Sequence, residues 1–261
     1  MSSGRFSRRR RALVLVVAAV AALGAIGVGA LVWPESDPVD VALPTQDRPG
    51  PVLLVPGYGG NTRGVARLAA RIRATGRQAS VVTLPGNGTG DLRAQAAALD
   101  RFVDRALAAG APSVDIIGQS AGGVVARLWV QDHDGAHKAR RVITLGSPHH
   151  GAQLAATGSV LVPRACPAAC RQLVPGSGFL SALVTPVPSP PDWLALWTTQ
   201  DTIVTPPESA RLEGALSVSV QSVCPGARVA HSALPTDPTV TRIVLAAIGA
   251  GPLEVPDPEL C

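Results

Sequence analysis

The residues whose types and spacing could do chemistry begin with Gly118-Gln119-Ser120-Ala121-Gly122, a serine with a glycine two positions away on each side. Alone this pattern is common. Its setting makes it specific: the apolar run Val114–Ile117 leads into it, and Val124, Val125, Leu128 and Trp129 follow at helical spacing. A strand–turn–helix of this kind lifts a hydroxyl clear of a sheet edge, and only glycines leave room for strand and helix to approach. A serine hydroxyl is a weak nucleophile until a base takes its proton.

Of five histidines, His231 is the base that the pattern selects. It falls in the loop between an alternating apolar segment and the last helical segment, and in a doubly wound sheet such a loop reaches the carboxyl edge of the strands. His149 and His150, in Gly146-Ser-Pro-His-His-Gly, are the reserve and are expected to shape a turn. His133 and His137 lie in the polar stretch Asp132 to Arg141 and are expected to be solvated. A base needs a carboxylate to hold its tautomer and steady its charged form. Asp201, just past the apolar run Leu194–Trp197, fits that role. Asp192 lies before the run, Asp115 lies inside a strand, Asp237 reads as a helix cap and Glu208 falls beyond two prolines. The oxyanion formed on attack needs two fixed donors. The backbone N–H of Ala121 and that of Tyr58, in Pro56-Gly-Tyr-Gly-Gly, are expected to supply them.

The elements that must position these groups alternate. Strands are expected at Val52–Val55, Ala79–Leu84, Val114–Ile117, Val142–Leu145, Leu194–Trp197 and Leu216–Val223. Helices are expected over Asn61–Thr75, from about Asp91 to Ala109, after Ser120, and from Asp237-Pro238 onward. Strand–helix repetition with short apolar strands predicts a mostly parallel sheet of about six strands with helices on both faces. Between 150 and 191 the alternation breaks, and this excursion is the candidate cap or lid.

Composition limits the function classes. Of 261 residues, 46% are apolar and 16% charged, enough apolar content for a sizeable core. The formal net charge of +5 comes from Arg5, Arg8, Arg9, Arg10 and Arg11; the remaining chain carries 18 basic and 18 acidic side chains. A nucleic-acid surface therefore has no support in charge. The 22 residues from Ala12 to Trp33 lack any charge and as a helix would extend about 33 Å. With the arginines before them, they read as a signal peptide or a retained membrane anchor over 1–33, followed by a linker over 34–50 and a catalytic domain over 51–261. Cys166, Cys170, Cys224 and Cys261 suit an oxidising compartment and could pair in three ways, with a local 166–170 bridge and a 224–261 tie as candidates. Nothing in the pattern requires a metal or an organic cofactor.

Taken together, Val55-Pro-Gly-Tyr-Gly-Gly, Gly118-Gln-Ser-Ala-Gly-Gly, Gly146-Ser-Pro-His-His-Gly, Cys170-Arg-Gln-Leu-Val-Pro-Gly-Ser, Asp201-Thr-Ile-Val-Thr-Pro and His231-Ser-Ala-Leu-Pro resemble the bacterial extracellular lipases and esterases of the α/β-hydrolase fold, the class 2 lipases. The resemblance covers about residues 51–249. It implies a Ser120–Asp201–His231 triad, Tyr58 and Ala121 as oxyanion donors, and acylglycerols or simpler esters as substrates at a lipid–water interface, for a monomeric extracytoplasmic enzyme. Two positions depart from it: Pro56-Gly57 and Gln119-Ser120 stand where many relatives have His-Gly and His-Ser. Acyl transfer to another hydroxyl, and a binding protein on an inactive hydrolase scaffold, are the competing expectations.

Overall fold

Short runs of Val, Leu and Ile cannot hide both faces of a strand alone, and here they pair into one six-stranded sheet. The computed structural model describes residues 43–161 and 165–261. In chain order the elements are β1 (Val52–Val55), α1 (Arg63–Ala74), β2 (Ala79–Val81), α2 (Leu92–Ala108), β3 (Val114–Gln119), α3 (Ala121–Asp132), α4 (Gly135–Lys138), β4 (Ala139–Leu145), α5 (Gln153–Leu161), α6 (Ala168–Gln172), α7 (Gly178–Ser181), β5 (Asp192–Trp197), β6 (Leu216–Ser219), α8 (Val220–Val223) and α9 (Pro238–Ala247). The strand order is β2-β1-β3-β4-β5-β6, and every neighbouring pair is parallel.

Two apolar layers cover the sheet. On one face Leu92, Leu99 and Val103 of α2 pack with Val124, Leu128 and Trp129 of α3. On the other, Val65, Leu68, Ala69 and Ile72 of α1 meet Val240, Ile243 and Val244 of α9. The expected apolar faces of α1, α3 and α9 are thus the buried ones. On α2, Leu92 and Leu99 are fully buried, whereas Phe102 and Leu107 are only half-buried. Asp91 and Asp237 cap α2 and α9 by accepting from the N–H groups of Arg93 and Val240.

Three expectations need correction. The segment 216–223 is not one strand: β6 stops at Ser219, whose side chain accepts from the Ser222 N–H and starts the one-turn α8. Alternation cannot distinguish a strand from a strand followed by a capped turn. β2 is only three residues long, although the Val82 N–H still bonds the Leu54 carbonyl. And β4 begins at Ala139, so the polar stretch before it ends inside the protein: Arg140 is 0% exposed and Arg141 1%.

These arginines are buried because a partner set surrounds them. Both oxygens of Asp115, itself 0% exposed, accept from Arg140, and Oδ2 also accepts from Arg77 at 2.6 Å. Other guanidinium N–H groups donate to main-chain carbonyls, Arg140 to Gln46, Ile248 and Gly249, Arg141 to Ala247 and Gly251, and Arg77 to Gly50 and Ile248, while Arg141 Nε donates to the Gln46 side-chain oxygen. The segment 46–50 and the end of α9 are thereby fastened to the amino edge of the sheet.

Cys166 bridges Cys170 within the 150–191 excursion, and Cys224 bridges Cys261 at the C-terminal tail. Two such bonds point to an extracytoplasmic protein. The apolar segment 12–33 lies outside the described residues; among those described, no helix is long and apolar enough to cross a membrane.

Candidate active site

Because β1 pairs with β2 on one side and β3 on the other, the chain changes winding direction between β1 and β3. Ligands bind at such a switch point, outside the carboxyl ends of the strands. The loop after β1 and the turn after β3 both emerge there, carrying Tyr58 and Ser120.

Ser120 sits between β3 and α3 with φ 51° and ψ −126°, a conformation that a non-glycine residue rarely adopts. The flanking glycines explain how the turn closes. A Cβ at Gly118 would lie 2.4 Å from the Cα of Gly123, and one at Gly122 would lie 2.3 Å from the Val55 carbonyl oxygen. The main chains of β3, α3 and β1 occupy the space that side chains would take. Gly57 obeys the same rule, since its Cβ would stand 3.0 Å from the Cβ of Ser120. Gly57, the residue before Tyr58, therefore lies next to the serine. Ala121 opens α3, where an N–H has no carbonyl one turn back to bond.

His231 and Asp201 meet at the same edge. His231 Nδ1 lies 2.6 Å from Asp201 Oδ2, with both residues buried. The other oxygen of Asp201 accepts from the N–H groups of Ile203 and Val204 at 2.9 and 2.8 Å, which fixes the carboxylate in place. The loop bearing His231 is held from β5, because the Thr198 hydroxyl donates to the Val229 carbonyl at 2.7 Å. Gln221 on α8 donates to the Thr198 hydroxyl and accepts from the Thr199 N–H, so the turn that cuts β6 short also braces the Asp201 loop. Asp201 supplies the one side-chain hydrogen bond that His231 makes among the described residues, and Nε2 is left without a partner.

Leu145–Gly146 links the two halves. The Ser120 N–H donates to the Leu145 carbonyl at 2.8 Å. A Cβ on the next residue, Gly146, would lie 3.2 Å from His231 Nδ1 and 3.3 Å from Asp201 Oδ2. The serine and the His–Asp pair thus flank one peptide, although they are far apart in the chain. Of the rejected carboxylates, Asp115 is at the opposite edge, Asp237 caps α9 and Glu208 is exposed in the turn Pro207–Ala210.

Ser120 opens into a cavity of about 170 Å³, lined with Tyr58 and Ala121 and, from the 150–191 excursion and the Asp201 loop, by Ala152, Leu154, Ala155, Cys170, Leu173, Ile203 and Val204. Among the described residues, no group of three His, Cys, Asp or Glu side chains gathers as a metal site would require.

Sequence reasoning missed the polar groups behind Ser120. Arg127, on α3, is 4% exposed and has no carboxylate partner among the described residues; its guanidinium donates to the carbonyls of His149 and Val184 and to the Thr185 hydroxyl. Burial pulls its pKa down to about 10. It pins α3 to the exit of the excursion. His149 is 1% exposed, with Nε2 3.1 Å from the Thr144 hydroxyl and Nδ1 unpartnered. It is a packed core group, not a base at the site mouth, and only its place in a Gly-Ser-Pro turn hinted at that. Burial, then the Arg127 and His150 charges, hold its pKa well below the ordinary value of 6.5.

That shift has a sign. The unfolded chain takes up a proton on this histidine below pH about 6.5 while the folded chain does not, so stability falls as pH drops, by up to about 1.4 kcal/mol per pH unit. His149→Gln removes this component. Urea denaturation at pH 7.0 and 5.5 should show a smaller acid loss in the variant than in the parent; equal losses would mean that the folded protein protonates His149.

A switch-point serine on a strained turn, backed by a buried His–Asp pair on a parallel sheet with helices on both faces, defines an α/β-hydrolase. The sequence pattern of the palmitoyl protein thioesterase family matches residues 51–184, and the chain belongs to that family. Solved structures share the fold. Aspergillus fumigatus lipase B is 18% identical with a TM-score of 0.64, over 80% of this chain and 54% of the lipase, so the chain spans about half of that lipase's length. One of the metagenome-derived lipolytic enzymes LipS and LipT is 16% identical with a TM-score of 0.59, over 79% and 96%. The mature form of Bacillus licheniformis lipase BlEst2 is 21% identical with a TM-score of 0.54, over 70% and 86%. A search of curated proteins finds no match.

Proposed function

We propose that the protein is a serine carboxyl-ester hydrolase of the class 2 lipase and esterase type. Ser120 Oγ attacks the substrate carbonyl as His231 Nε2 takes its proton, and the tetrahedral oxyanion is held by the N–H groups of Tyr58 and Ala121. His231 passes the proton to the leaving alcohol, and the acyl group remains on Ser120. Water then attacks the acyl-enzyme by the same route and releases the acid. Asp201 holds His231 in the tautomer with hydrogen on Nδ1 and steadies the imidazolium. The observation that carries this reading is the 2.6 Å His231–Asp201 contact flanking the same peptide to which Ser120 is bonded. The apolar walls beside Ser120 support an acyl substrate presented from a lipid–water interface. The proposal extends to a monomer exported or anchored through residues 1–33, joined by a linker over 34–50 to a catalytic domain over 51–261 whose 150–191 excursion caps the site.

The family match favours a second reading, hydrolysis of acyl thioesters, by the same acyl-enzyme. The leaving groups separate the two: a thiol of pKa about 8.5 departs with far less help from an acid than an alcohol does. Labelling of the full chain by a fluorophosphonate, with Ser120 as the modified residue, tests the nucleophile. Rates on an alkyl oxyester and thioester of the same acyl group test the bond. The oxyester is expected to turn over at a comparable rate; turnover confined to the thioester would favour the second reading, and an unlabelled Ser120 would end both.

A further inference from the structure

Resting on that reading of Ser120 and deepening it, we infer that the outward face of α5 docks the protein onto an anionic lipid surface, with the mouth of the Ser120 cavity turned toward the lipid. A helix of a soluble domain turns its apolar stripe inward. α5 does the reverse. No residue of it is buried. Its half-buried side carries Ala155, Ala156, Gly158 and Ser159. Its exposed side carries Leu154, Val160 and Leu161, at 59%, 76% and 73% exposure, with the uncharged Gln153 and Thr157 beside them. The inner side is already occupied. A Cβ at Gly158 would stand 3.7 Å from the Sγ of Cys170 on α6, and the Gln153 N–H donates to the Thr205 carbonyl at 3.0 Å. Small residues therefore face the domain and the large apolar ones face away from it.

This face runs into the site. Of the eight large apolar side chains exposed among the described residues, five are the three on α5 together with Tyr58 and Ile203. Leu154, Tyr58 and Ile203 also line the cavity into which Ser120 opens, and Val160 and Leu161 follow about 10 Å further along the helix. Exposed apolar groups gathered in this way mark a contact with protein or membrane. Two observations select the membrane. Residues 151–163 carry no charge, and none of the chain's 18 acidic side chains falls between Asp134 and Asp192, whereas the excursion holds Arg164 and Arg171. A surface without acids meets no repulsion from anionic headgroups, and its arginines are attracted to them. Position gives the second. A second copy seated on this face would cover the mouth of the cavity, whereas a lipid surface presents acyl chains to it.

The test reads docking without requiring turnover. All four cysteines are bridged, so Val160→Cys gives the full chain a single free thiol for an environment-sensitive fluorophore. With vesicles of phosphatidylcholine and about 30% phosphatidylserine, emission at 160 should shift to the blue and at least double, and phosphatidylcholine alone should give a weaker response. The same label at Arg101→Cys, exposed on α2, should not respond, which separates docking of α5 from tethering through residues 12–33. No response at 160, an equal response at 101, or a response as strong on phosphatidylcholine alone would overturn the inference. So would blue-shifted emission without vesicles, from a second copy if it grows with protein concentration and from the chain's own apolar segment if it does not. Val160→Asp/Leu161→Asp provides a second readout on residues outside the cavity lining. The folded variant should keep its kcat/KM on monomeric p-nitrophenyl butyrate and lose at least tenfold on a p-nitrophenyl ester carried in the anionic vesicles. Equal rates on the vesicle-borne ester, or equal losses on both, would also overturn it. An absence of turnover and of fluorophosphonate labelling would remove the serine-hydrolase reading, while the emission at 160 still decides the docking.

Discussion

Ser120→Ala is expected to lower kcat for ester hydrolysis by about 10⁴-fold or more, because no acyl-enzyme can form and only binding and the oxyanion donors remain. The protein should stay folded with nearly the same Tm. Alanine keeps the Cβ that makes φ 51° costly, so the strain in the turn is the same in both proteins. Ser120→Gly should differ in one respect only. It abolishes turnover equally, but a glycine adopts this conformation without a Cβ penalty, and the variant should be more stable by about 1 kcal/mol. Steady-state kinetics and denaturant unfolding on the three proteins separate the chemical role of the side chain from the conformational cost of its position. If Ser120→Ala retained near-parental turnover, the nucleophile would have to be another group.

The second large effect is expected far from the chemistry. Asp115→Ala should cost about 3–5 kcal/mol, the usual penalty for removing one partner from a buried ionic group. Asp115 is the carboxylate that faces both Arg77 and Arg140, and Arg140 is fully enclosed. Without it, the fully enclosed Arg140 guanidinium and the largely buried Arg77 guanidinium are left opposing each other. Against a total stability of about 5–15 kcal/mol for a domain, this is a severe loss. The double variant Asp115→Leu/Arg140→Met should recover part of it by restoring charge balance. It cannot recover all of it, because the carbonyls of Gln46, Ile248 and Gly249 each lose one of their donors. Urea unfolding of the parent, the single and the double variant gives the three values. A loss below about 1 kcal/mol for Asp115→Ala would show that solvent reaches the cluster when the protein relaxes.

The catalytic edge was legible in the sequence because its constraints are local. Gly118 and Gly122 answer to main-chain atoms of elements that touch the turn directly, Asp237-Pro238 caps its own helix, and the apolar spacing of α1, α3 and α9 records one buried face each. Ser120, Asp201 and His231 were each selected from the neighbouring strand or helix, without knowledge of the distance between them. Where a local pattern fits two structures, it misled. Leu216–Val223 alternates as a strand should, yet Ser219 caps a turn that carries Gln221 to Thr198 and the Asp201 loop.

Other features were set by partners that no local pattern can name. Arg140 and Arg141 follow a solvated turn and look solvated themselves; they are buried because Asp115 and the carbonyls at 46 and 247–251 arrive from strands and loops remote in sequence. His149 lies two residues past Ser147 in what looks like a surface turn, and it is enclosed because β4 ends beneath α3. The shape of the cavity beside Ser120 belongs to the same class. Sequence alone nominated Ser120, Asp201 and His231, since a nucleophile, a base and an oxyanion hole each need particular residue types in particular short contexts. Tertiary structure alone decided how far Leu173 and Ala152 stand from Ser120, because that distance depends on how the 150–191 excursion folds back onto the sheet, and packing between distant segments leaves no period in the chain.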